Sequence, residues 1–337
     1  MQKDFAKPTE SVDWYVDPTF QPLPIRIDLF LKLKMITRSR TQIQSVFKKK
    51  RVLVNSKPVN PSYKLRGGEN IRLLLDPSRD IIDSDSVKLE ILYEDEHLVA
   101  LNKEPGIIMH PAGTITSGTL LNAVHSYYEK QGSNVRPSLL QRLDKHTSGI
   151  VLMPKSPEVH AAMQTQIIEH TLDKIYIALC DGIPNKKEDL VEAPIDQVAH
   201  PFVKKMGVCT PGTGKDSQTR YNTLMQGDEH ALLGIKLYTG RQHQIRVHMS
   251  HIGHPLTGDV LYGGCEKLSR QALHSYYLRF YHPIEKKDFE IIAPLPDDMM
   301  FFLQNQNEKK AWQKNDGSID ISSNNTLWNP KPWLEQL

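Results

Sequence analysis

Basic residues crowd into one short stretch near the start of the chain, and this uneven charge most constrains how the chain can fold. Between Ile25 and Leu75 there are thirteen lysines and arginines but only two acidic residues, Asp28 and Glu69. The stretch therefore carries a formal charge of +11, whereas the whole chain of 337 residues carries +3. Such asymmetry predicts a small module that binds a polyphosphate backbone, joined to a net acidic body with a different function.

The basic stretch has the pattern of a small helix-helix-strand unit. A first helix is predicted after a cap at Asp28, with its inward residues at Ile27, Phe30 and Leu31. A second helix is predicted after a cap at Thr37 or Ser39, with its inward residues at Ile43, Val46 and Phe47. Strands are predicted at Val52–Val54, before a turn at Asn55, and from Ile71 to Leu75.

This unit resembles the S4 RNA-binding domain. The resemblance lies in the run from Arg40 to Asn55, which ends in Val-Leu-Val-Asn, and in the later Gly67-Gly68-Glu69. A lysine run alone is more often a solvated helix end, so the charge of the whole stretch and the S4-like frame together favour RNA contact. The RNA-binding residues implied are Arg38, Arg40, Lys48, Lys49, Lys50 and Arg51.

The rest of the chain predicts one larger body with extensions. Short β-branched strands alternate with helical stretches without a regular strand-helix-strand order, which predicts an α+β fold with a mixed, mainly antiparallel sheet. Trp312, Trp328 and Trp333 lie near the C-terminus, and since tryptophan is scarce in disordered chains we expect that end to be partly docked. The predicted ranges are an N-terminal extension 1–24, the S4-like domain 25–75, a polar linker 76–87, the body 88–298 and a C-terminal extension 299–337.

Asp144 lies in a polar turn between two apolar runs, in the string Gln-Arg-Leu-Asp-Lys-His-Thr-Ser-Gly-Ile. Leu139-Leu140 and Ile150–Met153 are predicted as buried strand segments. Asp144 would then lie on a short loop held by a sheet, where reactive side chains are common. A single aspartate in such a loop is more often a turn former, so its interpretation depends on the whole string.

The string Arg-Leu-Asp-x-x-Thr-Ser-Gly-Ile is similar to the signature of the RluA family of pseudouridine synthases, and seven of its positions are specified. Further segments, over residues 25 to 295, match the family's order. The proline of the first motif stands one position late, at Pro105, and Ser275 stands where alanine is usual. The matching segments are Asp95 to Lys103, Gly106 to Pro111, Asp173 to Leu179, Thr239 to His248, Pro255, Gly258-Asp259, Tyr262-Gly263-Gly264 and Leu273-His274.

The resemblance implies an isomerase that converts uridine in RNA to pseudouridine. The bond between ribose C1′ and uracil N1 must break, the base must turn, and C5 must bond to C1′. Nothing is added or lost, so no cofactor and no metal is expected. The reaction requires a carboxylate that adds to C1′ or to C6, or that assists deprotonation of the sugar. Asp144 fits this requirement, and all three roles remain open at this stage.

The resemblance also assigns roles to three further residues. Arg246 lies in the first turns of a helix predicted over Gln242 to Ile252, and is expected to pair with Asp144 and keep it ionised. Tyr176 lies on a predicted strand, and is expected to stack on the target uracil and to move a proton. Arg142 is expected to enter the space that a flipped-out uridine leaves. Without the motif, each would be interpreted as an ordinary surface or strand residue.

Histidine and cysteine spacings give no metal signature. The spacing of His243, His248, His251 and His254 matches no familiar zinc motif. The three cysteines, Cys180, Cys209 and Cys265, are odd in number and form no Cys-x-x-Cys, so neither a disulfide framework nor a cysteine zinc site is expected.

The first residues contain no apolar core of signal-peptide length, and no run approaches the roughly 20 apolar residues of a membrane span. We therefore expect a cytoplasmic protein without a membrane partner. The resemblance implies that it acts on structured RNA, 23S ribosomal RNA or a ribosomal assembly intermediate, and we expect a monomer. One rival interpretation is a non-catalytic S4-type RNA-binding or ribosome-assembly protein. Another is a metal-dependent nuclease or hydrolase built on the histidines.

Removing residues 1–75 should weaken RNA binding and flatten its salt dependence, because lysines and arginines that contact phosphates release counterions on binding. The remaining chain should still fold. The measurement is the slope of log affinity against log salt concentration for both proteins, and an unchanged slope would show that the basic stretch does not contact RNA.

Overall fold

The chain forms two compact units in a computed structural model, which describes residues 11–20, 23–34, 44, 46–48, 50–74, 87–111, 118–199, 205–210, 212–305, 313–314 and 328–336. One unit contains residues 1–88 and 108–136, and the other contains residues 89–107 and 137–337. Residues 108–136 group with the first unit. The domain boundaries given above stay a prediction.

The first unit combines a small antiparallel sheet with short helices. Among the described residues, the strands of this sheet lie in the order β1-β6-β3-β4, and β2 pairs with β5. The elements are β1 Ser11–Tyr15, β2 Ile25–Arg26, α1 Ile27–Lys34, β3 Val52–Val54, β4 Lys57–Pro58, β5 Lys64–Leu65, β6 Asn70–Leu74 and α2 Leu120–Lys130.

Most predictions for the basic stretch are confirmed within the described residues. Helix α1 buries its predicted apolar face, and strands β3 and β6 lie where expected. Asp28 is not the cap of α1, because the helix already begins at Ile27 and the Asp28 carboxylate accepts a hydrogen bond from Arg26 Nη2 at 2.8 Å. Val46 and Phe47 are helical and buried. The predicted caps and Ile43 lie outside the described residues.

The second unit is built on a large sheet. Within the described residues its strands lie in the order β11-β14-β15-β10-β16-β9-β8-β7, with β17 also pairing with β16 and β18 with β14. Only the β9–β16 pair is parallel among these. The elements are β7 Ile91–Glu94, β8 Leu98–Lys103, β9 Ser148–Pro154, α3 Pro157–Ile168, β10 Asp173–Asp181, β11 Glu188–Glu192, β12 Ile195–Val198, β13 Lys205–Val208, β14 Gln218–Gln226, β15 His230–Leu237, α4 Gln244–His251, β16 Leu273–Tyr281, β17 Asp288–Ile292, α5 Asp297–Asn305, β18 Gln313–Lys314 and α6 Lys331–Leu334.

This architecture confirms the predicted α+β class with a mainly antiparallel sheet. The strand predicted at Ile150–Met153 is confirmed as part of β9, all of which is buried. Leu139-Leu140 is not a strand: Ser138 N donates to Pro154 O at 2.9 Å, but the chain then bends at Leu140, so the ladder does not continue. No helix in the described part of the chain is long and apolar enough to cross a membrane.

The C-terminal segment contributes aromatic side chains to the core of the second unit. Trp328 and Trp333 are 3% and 6% exposed and pack with α5 and β16. Tyr276 Oη donates to Trp328 O at 2.9 Å and accepts from Trp328 N at 3.0 Å. The Trp328 ring occupies space that Gly234 leaves open, since a Cβ there would lie 2.7 Å from the indole. Trp312 and the stretch 315–326 lie outside the described residues.

Replacing Trp328 with alanine should lower the free energy of unfolding by about 3–5 kcal/mol, because a buried aromatic side chain is lost and a cavity remains. Urea unfolding followed by circular dichroism measures the change. Tyr281→Ala is the matched control, since Tyr281 is an aromatic residue of the same unit that is 47% exposed. Equal unfolding midpoints for the two variants would contradict docking of the segment.

Candidate active site

Asp144 lies on the loop that leads into β9. Asp144 O accepts a hydrogen bond from Thr147 N at 3.1 Å, which closes a turn, and the Asp144 side chain is 26% exposed. Gly149 follows with φ +105°, and a Cβ there would lie 2.2 Å from Ser275 O on the neighbouring strand. Only glycine fits this close approach of two backbones. The carboxylate is therefore partly open to solvent at the start of a tightly packed strand.

A buried lysine, Lys103, anchors the Asp144 loop through its backbone. Lys103 is 1% exposed, and its Nζ donates to three backbone oxygens: Glu104 O at 2.9 Å, Ile107 O at 3.1 Å and Lys145 O at 3.1 Å. The three acceptors match the three N–H bonds of an ammonium group. Burial lowers the pKa of Lys103 to about 7, while the negative charge of Asp144 acts in the opposite direction. Lys103 thus ties the residue after Asp144 to the end of β8.

A buried arginine, Arg270, anchors the same loop at His146. Arg270 is 6% exposed, and its Nη1 donates to His146 O at 3.1 Å. Its Nε and Nη2 bind both oxygens of Asp298 at 2.7 and 2.8 Å, so the guanidinium is fixed in orientation. Burial lowers the pKa of His146, and nearby cations including Lys103 add to this effect.

Arg246 connects Asp144 to a second carboxylate. The Arg246 side chain is 9% exposed, and its Nη1 lies 3.3 Å from Asp144 Oδ2. Its Nε and Nη2 donate to the two oxygens of Asp259 at 2.6 and 2.8 Å. Burial works against the charge of Arg246, yet the hydrogen bond and charge of Asp259, with the charge of Asp144, raise its pKa. Arg246 therefore stays cationic, as a fixed counter-charge for Asp144.

A histidine and a tyrosine complete the surroundings of Asp144. His243 Nε2 lies 3.8 Å from Asp144 Oδ2, and His243 Nδ1 lies 2.8 Å from Tyr262 Oη. Tyr262 Oη also accepts from Met206 N at 3.1 Å, so its own proton can go to His243 Nδ1. His243 Nε2 then carries the N–H that faces Asp144. The Arg246 guanidinium carbon lies 4.8 Å from the centre of the Tyr262 ring, a cation–π contact.

Tyr176 lies on β10, as predicted, and is 5% exposed. Burial raises its pKa, and the negative charge of Asp144 contributes to the shift, so the phenol stays protonated. Lys174 Nζ lies 4.7 Å from the centre of one face of its ring. The Tyr176 hydroxyl makes no hydrogen bond to a residue that the structure describes.

The predicted RNA-binding residues are less buried. Arg142 is exposed, two positions before Asp144. In the first unit Lys48 and Lys50 are exposed and Arg51 is half-buried. Arg38, Arg40 and Lys49 lie outside the described residues.

The histidines of the 243–254 segment serve separate contacts. His248 is fully buried and bonds to Thr219 Oγ1 at 2.8 Å and Ala193 O at 2.9 Å. His254 Nδ1 lies 3.1 Å from Asp181 O. Within the described residues, the groups that can hold a metal ion do not include these histidines.

Sequence reasoning assigned no role to several residues that shape this site. Lys103, His243, Asp259 and Tyr262 fall inside matching motif segments, which is the signal that marks them. Arg270 lies outside those segments, and nothing in its local pattern indicates that it anchors the Asp144 loop.

Comparisons with known proteins identify the family of the chain and its N-terminal domain. A family model described as RNA pseudouridylate synthase matches residues 97–251, and one described as S4 domain matches residues 25–71. The ribosomal large subunit pseudouridine synthase D of Nitrosomonas europaea is 34% identical over 292 residues, covering 83% of this chain and 84% of the relative. An uncharacterized RNA pseudouridine synthase of Chlorobaculum parvum is 33% identical over 307 residues, covering 83% and 94%.

Two solved human structures share the fold. RNA Pseudouridylate Synthase Domain Containing 1 matches with a TM-score of 0.54 and 23% identity, covering 75% of this chain and 95% of that protein. RNA Pseudouridylate Synthase Domain Containing 4 matches with a TM-score of 0.54 and 22% identity, covering 64% and 92%.

The fold, the S4 domain and the relatives together define an enzyme that acts on RNA. More particularly, the chain belongs to the RNA pseudouridine synthase family, whose members isomerise uridine, and it carries an S4 domain near its N-terminus.

Replacing Lys103 with methionine should lower the free energy of unfolding by roughly 1–3 kcal/mol, because buried carbonyl groups lose their donor. Pseudouridine formation should fall as well, since the loop that carries Asp144 loses an anchor. Lys145→Met is the control. It removes an exposed lysine side chain of the same loop but keeps the Lys145 backbone oxygen that accepts the hydrogen bond from Lys103. Urea unfolding and turnover are measured for both variants, and equal values would contradict the anchoring role.

Proposed function

We propose that this enzyme isomerises specific uridines of large-subunit ribosomal RNA, with Asp144 as the catalytic carboxylate. The observation that carries the proposal is the contact of 3.3 Å between Asp144 Oδ2 and Arg246 Nη1. A carboxylate in a closing pocket tends to take up a proton, and a fixed cation at this distance opposes that tendency. Arg246 thus supplies a counter-charge for the carboxylate in each of its possible roles.

The remaining surface of Asp144 is suited to a substrate. Oδ2 faces Arg246 and His243, whereas Oδ1 accepts no hydrogen bond from any residue that the structure describes. The side chain is 26% exposed, so a flipped nucleotide can reach it. Oδ1 is therefore the oxygen that we assign to the sugar or the base.

Tyr176 is proposed to hold the uracil ring and to move a proton late in the reaction. Because Lys174 Nζ lies over one face of the Tyr176 ring, the base would stack on the opposite face. The raised pKa of Tyr176 keeps the phenol protonated, so it can donate a hydrogen bond to the base but is a weak proton acceptor. For Tyr176 to accept a proton, a neighbouring group would first have to remove the proton of its phenol.

Recognition of the RNA is proposed to begin with the basic stretch of the first unit. Some exposed cations there make no ion pair with any residue that the structure describes: Lys34, Lys48, Lys50, Lys57, Lys64 and Arg66. Such residues are available for phosphates. Arg142, exposed beside Asp144, is proposed to fill the gap in the base stack once the uridine has flipped out. The name of the Nitrosomonas relative supports the large ribosomal subunit as the source of the substrate.

Asp144→Asn should abolish pseudouridine formation while leaving folding and RNA affinity nearly unchanged, because it removes the reactive anion and little volume. Turnover on ribosomal RNA fragments, RNA binding and thermal unfolding are measured together. Asp189→Asn is the matched control, since Asp189 is a surface carboxylate paired with Lys186. Substantial turnover by Asp144→Asn would refute the assignment of this residue.

Arg246→Ala should lower turnover by roughly 10²-fold or more, the size of effect seen when a fixed electrostatic group is lost from an active site. Arg246→Lys keeps the charge but cannot bind both oxygens of Asp259, so we expect an intermediate rate. Thermal unfolding of both variants, measured beside turnover, separates loss of the counter-charge from loss of the fold. Near-normal turnover of Arg246→Ala would refute the pairing.

Mapping pseudouridine in ribosomal RNA from cells with and without the gene identifies the substrate. Sites that disappear without the gene and return with the wild-type gene but not with Asp144→Asn are its targets. If every site persists, the protein does not modify that RNA in the cell, and the interpretation as a non-catalytic RNA-binding or ribosome-assembly protein gains support.

A further inference from the structure

A cysteine, a histidine and an aspartate come together in the second unit, apart from the Asp144 loop. Asp181 ends β10 and lies opposite His230, the first residue of β15, in the ladder between these strands. Cys265 comes from the loop between α4 and β16. Their ligand atoms lie 3.2 Å apart for Cys265 Sγ and Asp181 Oδ1, 3.6 Å for His230 Nε2 and Asp181 Oδ1, and 3.9 Å for Cys265 Sγ and His230 Nε2.

These three separations have the dimensions of a metal site. Donor atoms bound to one tetrahedral Zn²⁺ at about 2.0–2.3 Å lie roughly 3.3–3.6 Å from one another. The observed separations of 3.2, 3.6 and 3.9 Å depart from those values by only a few tenths of an ångström. The geometry points to a zinc site formed by Asp181 Oδ1, His230 Nε2 and Cys265 Sγ, with a water molecule as the fourth ligand.

The carboxylate is already oriented for this role. Thr257 Oγ1 donates to Asp181 Oδ1 at 2.7 Å, and Cys265 N donates to Asp181 Oδ2 at 2.6 Å. Such hydrogen bonds commonly fix the ligands of a metal site in place. The site is also reachable from solvent, because the Asp181 side chain is 22% exposed while that of His230 is 4% exposed. An ion can therefore enter on the Asp181 side.

The ligand types favour zinc over a hard cation. When the Cys265 thiol binds, the Sγ–H bond breaks, an Sγ–Zn bond forms, and one proton leaves to solvent. Thiolate and imidazole ligands favour Zn²⁺ over Mg²⁺ or Ca²⁺.

A metal bound here would stabilise the loop that carries Asp259, the residue that Arg246 binds through two hydrogen bonds. Cys265 O accepts from Gly258 N at 2.8 Å, and Asp259 is the next residue. Gly258 permits this packing, since a Cβ there would lie 1.9 Å from Arg270 O. Zinc would thus join the ends of two sheet strands to the turn that contains Asp259. This role is structural and adds no step to the isomerisation.

The test measures metal directly in the full-length protein. After dialysis against a chelator, zinc is added, the protein is separated from free metal by gel filtration, and zinc is counted by mass spectrometry. We expect about one zinc per chain in the native protein and about one proton released for each zinc bound. Cys265→Ser and His230→Gln should each lose the metal, whereas Cys209→Ser, a cysteine outside the cluster, should keep it.

Cobalt in place of zinc gives a second readout that needs no variant. A cobalt–thiolate charge-transfer band in the native protein supports the site even if Cys265→Ser fails to fold, and a spectrum without that band overturns it. Zinc should also raise the melting temperature of the native protein but not of His230→Gln. Little or no retained zinc, or equal retention by Cys265→Ser, would mean an adventitious ion only and would overturn the proposal without affecting the assignment of Asp144.

Discussion

The bridge that Arg246 makes between Asp144 and Asp259 is the interaction on which the candidate active site depends. A buried guanidinium is costly unless carboxylates pair with it, and here two do, one at 3.3 Å and the other through two hydrogen bonds. The stronger pair, with Asp259, fixes the arginine. The weaker contact leaves Asp144 partly exposed and available for chemistry. Asp259 thus positions the guanidinium of Arg246, whereas Asp144 is the carboxylate to which we assign the reaction.

The rest of the site serves to keep the Asp144 loop in one conformation. Lys103 and Arg270 are both buried, and each donates a hydrogen bond to a backbone oxygen of the Asp144 loop, Lys103 to Lys145 O and Arg270 to His146 O. Backbone carbonyls are strong acceptors that must be satisfied inside a protein, so these cations hold the loop without competing for the Asp144 carboxylate. Tight backbone packing at Gly149 fixes the point where the loop enters the sheet.

The two units use positive charge in different ways. In the first unit, lysines such as Lys48 and Lys50 are exposed, and exposed lysines are well suited to loose, salt-sensitive contacts with phosphates. In the second unit, Arg246 and Arg270 are buried and bind carboxylates with two parallel hydrogen bonds each. Planar guanidinium groups give such geometry, whereas ammonium groups do not. The net charge of a segment thus predicts a surface for RNA, but not which cations shape the candidate active site.

The sequence by itself determined the fold class, the S4-like frame, the strand that carries Tyr176 and the loop that carries Asp144, because periodicity and turn residues report local structure. It mispredicted a strand at Leu139-Leu140, where apolar character is satisfied by packing without a ladder. Tertiary structure alone decided that Arg246 binds Asp259 more tightly than Asp144, and that Cys265 meets Asp181 across 84 positions of sequence. Local patterns fix the direction of a side chain, but the packing of distant segments decides what stands opposite it.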